Sequence, residues 1–259
     1  METELMPAAF IGHGNPMNAL EHNRYTRAWR EFGASIPRPR AVVVVSAHWY
    51  VGSTLVTAME TPRTIHDFYC FPQQLFDVEY PAPGAPAIAE EVAEVVKPRW
   101  VGLDEDGWGF DHGAWAVLVH LFPDADIPVI QLSVNGFEGF DEHFDLGTRL
   151  APLRHEGILI LGSGNVVHNL GLVDFGAGAS GFDWAMRFDE ACTAAMVADP
   201  GRCSSLVEHP DYVRAVPTPD HFLPLAPIAG LAAADHTPAN VLVEGYVAGA
   251  LSMTSFRVG

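Results

Sequence analysis

The chain has 259 residues, 49% hydrophobic and 18% charged, which suits one large α/β domain or two small ones and leaves no sign of disorder. A formal net charge of −18 repels phosphate backbones and anionic lipid headgroups, so nucleic acid and membrane surfaces are not expected partners. The three cysteines, Cys70, Cys192 and Cys203, form no C-x-x-C pair, and the acidic start "METELMPAAF" has no signal-peptide pattern; a reduced, cytoplasmic setting is expected.

In chain order, strand-like runs rich in Val and Ile fall at 7–11, 41–46, 54–59, 127–134 and 157–162. Several are apolar throughout, as in strands covered on both faces of a mostly parallel sheet. Helical patterns lie at 85–97, where Pro98 stops the periodicity, and at 113–122, 138–153, 183–198 and 221–233. Residues 240–248 and 251–258 read as two further strands joined by a tight turn at Gly249 and Ala250. The alternation predicts an α/β sandwich without repeats or linkers. The stretch 61–84, "TIHDFYCFPQQLFDVEYPAPG" with its leading "TPR", is the longest irregular piece. It is too apolar for a solvated linker, and reads either as a packed connection or as a pocket wall.

Twelve histidines are far more than composition alone requires. Three of them follow strands: His13 in "FIGHGNPMNAL", His48 in "VVVVSAHW" and His168 in "ILILGSGNVVHNL". Ligands of parallel α/β sheets bind beyond the carboxyl ends of the strands, so these three side chains should converge on one sheet edge. A single such histidine is most simply satisfied by backbone; three together are not. His112 in "GFDHGAW" and His221 in "PTPDHFLPL" stand at expected helix starts and can face the same edge. His66 lies on the long loop. His22, His120, His143, His155, His209 and His236 sit beside charges or on helix surfaces, and solvated or capping roles are expected for them.

His13, His48 and His221 together supply three neutral imidazoles, which suits Zn(II) or non-haem Fe(II). The usual oxygen-activating triad has two histidines and a carboxylate, for which Asp220 and Glu244 are the available acids. Phosphate-loop, H-E-x-x-H and G-x-S-x-G motifs are absent, and "GSGNVV" lacks the third glycine of a dinucleotide fingerprint.

Seven segments in order, "GHGNPMNAL", "VVVVSAHW", "TIHDFYCFPQQLFDVEYPAPG", "GFDHGAWAVL", "IPVIQLSV", "SGNVVHNL" and "TPDHFLPL", resemble the 4,5-DOPA extradiol dioxygenase family, the class III, LigB-like ring-cleaving enzymes. The resemblance spans nearly the whole chain. It implies one catalytic domain over residues 1–259, a three-layer, phosphorylase/hydrolase-like α/β sandwich around a mixed sheet. It implies insertion of O2 into a catechol such as DOPA, with Fe(II) for activity and Zn(II) as an alternative occupant. By motif, His13, His48 and His221 would be the metal ligands, with His168 and His112 as catalytic groups. His66, Tyr69 and Phe71 would wall the substrate, and Arg63 and Arg187 are available for an acidic substituent. Protocatechuate-type relatives have a glutamate where this chain offers His221, so the site would keep the full +2 charge of its ion. That donor set also suits a zinc hydrolase of the same fold, or a metal-binding protein without catalysis. The expected partners are a small catechol and O2, and the expected state is a monomer or small homo-oligomer.

Overall fold

The computed structural model describes residues 5–259. The first half runs β1 (Ala8–Gly12), α1 (Arg24–Ser35), β2 (Ala41–Val51), β3 (Leu55–Thr57), α2 (Gln73–Phe76), α3 (Pro86–Val95), β4 (Gly102–Asp104), α4 (His112–Leu121) and β5 (Val129–Asn135). The second half runs α5 (Phe140–His155), β6 (Ile158–Gly164), α6 (Asp183–Ala198), α7 (Tyr212–Ala215), α8 (Leu225–Ala234), β7 (Ala239–Val243), β8 (Tyr246–Val247), β9 (Leu251–Ser252) and β10 (Ser255–Val258).

Eight strands form one sheet in the order β4-β3-β5-β2-β6-β1-β10-β7. Its centre is parallel: β1 pairs with β6, β6 with β2 and β2 with β5. Antiparallel pairings of β5 with β3 and of β10 with β1 and β7 make it mixed. The apolar run Val42–Val45 explains the layering. Val43 and Val45 face a core built with Ile88, Leu150, Phe188 and Ile228 from α3, α5, α6 and α8. Val42 and Val44 face the other core, with Trp29 and Phe32 of α1 and Trp115 and Leu118 of α4. Branched side chains buried on both faces suit a central strand, and helices on each side complete three layers.

Several boundaries differ from the sequence reading, each for a local reason. The second strand does not stop at residue 46. It runs to Val51 through an irregular register between Val45 and Tyr50, and His48 lies inside that irregularity. A bulge of this kind re-aims a side chain without ending the strand. The helix expected at 221–233 begins only at Leu225, because Pro224 biases Leu223 away from helical backbone and residues before it form turns. The two expected C-terminal strands each break. β7 and β10 join the large sheet, while β8 and β9 form a small hairpin of their own. Helix α1 is additional. Its signal was present as an Asn23/Thr26 capping box followed by buried Tyr25, Trp29 and Phe32. His120 and His143, expected at the surface, are buried; His120 Nε2 meets Asn18 O at 2.7 Å, and His143 Nδ1 meets Gly139 O at 2.7 Å.

The segment 251–255 forms a strap across the sheet edge. Buried Asp189 on α6 accepts hydrogen bonds from Ser252 Oγ (2.8 Å), Thr254 Oγ1 (2.7 Å) and Tyr246 Oη (2.9 Å). Ser255 Oγ in turn accepts the Gly12 amide at 3.0 Å. A Cβ on Gly12 would lie 2.7 Å from the Met253 carbonyl carbon, so only glycine lets β1 pass this close beneath the strap.

Candidate metal centre

The carboxyl ends of β1, β2 and β6 are neighbours in the sheet, and the histidines they carry meet there. His13 follows β1 directly, its amide held by Gly164 O at 3.0 Å, and Gly14 turns the chain away at φ +65°. His48 projects from the irregular end of β2. His112 is the first residue of α4, where Asp111 caps the helix by accepting the Ala114 amide. His221 sits in the turns before α8, its carbonyl accepting the Asn165 amide at 2.8 Å. His168 follows β6; its amide bonds Ala215 O, and its backbone bridges to Leu251 of the strap.

The side chains pack closely. His13 Nε2 and His48 Nε2 are 3.3 Å apart. The His221 ring centroid lies 5.3 Å from that of His13 and 5.0 Å from that of His48, and the His168 ring stacks parallel on His221 at 3.5 Å. Ligand atoms of His13, His48 and His112 lie within 4.8 Å of one another, as do those of His168, Asp220 and His221.

The hydrogen bonds behind the rings fix which nitrogen is left free. Ser163 Oγ spends its one proton on Gly113 O, so at 3.0 Å from His13 it accepts from Nδ1–H. His48 Nδ1 faces Asp67 Oδ2 at 3.1 Å, and His221 Nδ1 is bonded to the Asp220 carboxylate. In each of the three, Nδ1 is anchored and Nε2 is left free, the arrangement that outer partners impose on metal-binding imidazoles; the free nitrogens of His13 and His48 meet at 3.3 Å. His112 differs: Nδ1 is 3.0 Å from Asp67 Oδ1, within ion-pair reach, yet buried without a hydrogen bond.

Electrostatics follow the same division. Burial, then the neighbouring His48 and His221, hold His13 well below the ordinary histidine range. Burial and His221 bring His168 down to about 3, and burial, against the pull of Asp220, brings His221 down to about 4. Burial and His48 lower His112. Burial also acts to lower His48, but the Asp67 hydrogen bond and the charges of Asp111, Asp67 and Asp220 outweigh it and raise the group. Two inward lone pairs 3.3 Å apart repel each other unless a cation lies between or beside them. A proton on His48 meets that need in part, and a divalent ion meets it more fully by releasing the proton. Neutral, pre-oriented imidazoles therefore fit a divalent metal. Asp220 serves as an anchor for His221, and Glu244 lies apart, beside Arg24 and Asp189 in another groove.

A cavity of about 240 Å³ opens on this cluster. His48, His112, His168 and His221 line it together with Phe68, Phe71, Leu170 and Leu251. Larger grooves of about 480, 470 and 390 Å³ lie elsewhere, but none gathers convergent histidines. Of the wall expected from the long loop, Phe71 lines the cavity and brings Phe68 with it. His66 is turned beneath, with Nε2 2.9 Å from Val78 O and its ring against Phe68, Phe76 and Trp115. Tyr69 points outward, 86% exposed. Arg63 bonds Gly107 O and Arg187 pairs with Asp211, so neither reaches the cavity. Sequence reasoning missed Asp67, which faces both His48 and His112, and Ser163; only the "HD" step beside His66 hinted at the first.

Asp67→Asn is expected to weaken divalent metal binding by about 10–100-fold, the usual loss when an outer partner is removed. Competition with a chromogenic chelator reads this directly. Unchanged affinity would show that Asp67 does not orient His48.

Comparison with known proteins places these features in a context. The family described as "Catalytic LigB subunit of aromatic ring-opening dioxygenase" matches residues 9–259. A 4,5-DOPA dioxygenase extradiol from Escherichia coli K12 is 48% identical over 100% of this chain and 97% of its own length. Another from Beta vulgaris is 34% identical over 99% of this chain and 97% of its own. The crystal structure of an uncharacterized protein from Escherichia coli K12 superposes with a TM-score of 0.86 at 44% identity, covering 98% of this chain and 100% of that one.

Proposed function

As a member of the LigB family, this chain is an extradiol ring-cleaving dioxygenase, and we propose that it opens a catechol such as DOPA at one divalent metal held by His13, His48 and His221. The observation that carries the ligand assignment is the shared anchoring of these three rings at Nδ1, which leaves each Nε2 free as a donor. A bound metal would supply Lewis acidity to the diol and, as Fe(II), redox chemistry with O2; Zn(II) would supply only the first.

The remaining steps fall to the chain's own groups. His168, neutral and facing the cavity, takes a diol proton; a base must hold a free lone pair at rest, and burial beside His221 keeps one there. His112 also lines the cavity, its Nδ1 3.0 Å from Asp67 Oδ1, and it or His168 returns the diol proton to the departing oxygen. Phe68 and Phe71 give the catechol ring an apolar wall that excludes water. The catalytic unit is a single domain over residues 1–259. No helix among the described residues is long and apolar enough to cross a membrane. A cytoplasmic enzyme, monomeric or a small homo-oligomer without nucleic-acid or membrane partners, agrees with the charge of −18 and the free cysteines.

The test is direct. Protein loaded with Fe(II) under argon, then given a catechol in air, is expected to consume O2 and form a yellow ring-opened product. Metal-dependent ester hydrolysis without O2 uptake would overturn the proposal.

A further inference from the structure

We propose that Asp189, which lines a separate groove, is a positioning residue for His168: its carboxylate pins the strap at Ser252 and Thr254, and the strap holds the backbone on both sides of His168. The inference rests on the reading of His168 as the proton acceptor of the proposed reaction.

The strap meets the stretch that carries His168 residue by residue. Ser252 donates its amide to Val167 O at 2.9 Å, and its carbonyl accepts from Asn165 Nδ2 at 2.6 Å. Leu251 bridges His168 itself, and Ala250 O accepts the Asn169 amide at 3.1 Å. Residues 250–252, with Ala215 O on the His168 amide, therefore set where that side chain starts.

The strap is in turn fastened to α6. Ser252 Oγ gives its one proton to Asp189 Oδ1 and accepts the Thr254 amide at 3.1 Å. Thr254 Oγ1 and Tyr246 Oη both donate to Asp189 Oδ2. A group that only accepts, from three hydroxyls, is matched by an ionised carboxylate. A proton on Asp189, or an amide in its place, sets a new donor against hydroxyls that already donate, so one of them must turn away and lose its partner. The surroundings decide when this happens. Glu190 follows Asp189 on α6, Glu244 precedes the small hairpin, and Arg24 of α1 lines the same groove. Tyr246 and Cys192 stay protonated, both pushed up by burial and by Asp189. Burial, with the charge of Glu244, raises Asp189 to about 6 against its three hydroxyl bonds. The carboxylate is ionised above that value and neutral below it, so the fastening weakens as pH falls.

The experiment is a double-mutant cycle on Fe(II)-loaded protein, read by O2 uptake with excess catechol. Asp189→Asn alone is expected to lower kcat at about pH 8 by roughly 10–100-fold, as a small misplacement of a reacting group does, with bound metal at the wild-type level. In a His168→Ala background the same change should cost no more than about twofold, because the group it positions is gone. The ratio of wild-type to Asp189→Asn kcat should also shrink, by about threefold or more, between about pH 8 and about pH 5.5, since the wild-type carboxylate then becomes neutral too. Ionisations shared by both proteins cancel in that ratio. Additive losses, a ratio constant with pH, or metal lost from Asp189→Asn would each overturn the inference. A second readout needs no turnover. In Zn(II)-loaded protein, hydrogen exchange of residues 165–169 should quicken in Asp189→Asn and in Ser252→Ala, which removes one of the three donors and replaces the first variant in both measurements if that one does not fold. Wild-type exchange in a folded variant would overturn the inference. No O2 uptake by the wild-type protein would instead remove the dioxygenase reading, and exchange would still decide whether Asp189 holds the His168 stretch.

Discussion

Replacing His168 by alanine is expected to lower kcat by about 10²–10⁴-fold, the usual contribution of a positioned proton acceptor, while metal content stays at the wild-type level. The two readouts separate because His168 and the proposed ligands are held by different partners. His168 is tied through its backbone to Ala215 O and Leu251, and its ring stacks on His221. The three ligand rings are fixed by Ser163, Asp67 and Asp220, none of which His168 supports. Truncation thus enlarges the cavity without freeing a ligand. Metal is measured by plasma mass spectrometry and turnover by O2 uptake. Wild-type turnover in the variant would show that the diol proton leaves by another route. Loss of metal would move His168 into the ligand set.

The second large effect concerns His13. His13→Ala should lose metal by more than the roughly 10–100-fold that follows removal of an outer partner, and turnover should fall with it. His13 is 3% exposed and its ring centroid lies 5.1 Å from that of His48 and 5.3 Å from that of His221, so no other side chain can take its place without moving the end of β1. The variant should remain folded by circular dichroism, because the β1 and β6 pairing does not involve the ring. Unchanged metal content in a folded variant would end the assignment.

The sequence carried the centre of this site well because strand ends are easy to find. Runs of Val and Ile announce β1, β2 and β6, and the rule that ligands gather at carboxyl edges turns three separate histidines into one cluster. What it could not carry is what the rings lean on. Asp67 is at most 45 positions from the histidines it faces, but nothing local marks the loop as folding back over α4; that depends on Phe68, His66 and Trp115 packing together in space. Ser163 looks like one more small residue after a strand until Gly113 O claims its proton. The same limit hid the outward turn of Tyr69. In an irregular loop no periodicity says which aromatic faces in, and only tertiary packing decides between Tyr69 and Phe71. The longer second strand was hidden for a related reason, since a register irregularity has no sequence period of its own.

The strap over β1 bears on how the protein is made. Gly12 and the Ser255 hydroxyl that receives its amide are 243 positions apart, and Met253 packs over the turn that presents His13. On the ribosome, His13 emerges well before its cover. Contacts so distant in sequence close late in folding. A nascent chain can offer scattered imidazoles to passing ions, but the three free nitrogens exist together only once residues 251–258 are in place. Under the proposed ligand set, metal acquisition would therefore follow the synthesis of residues 251–258.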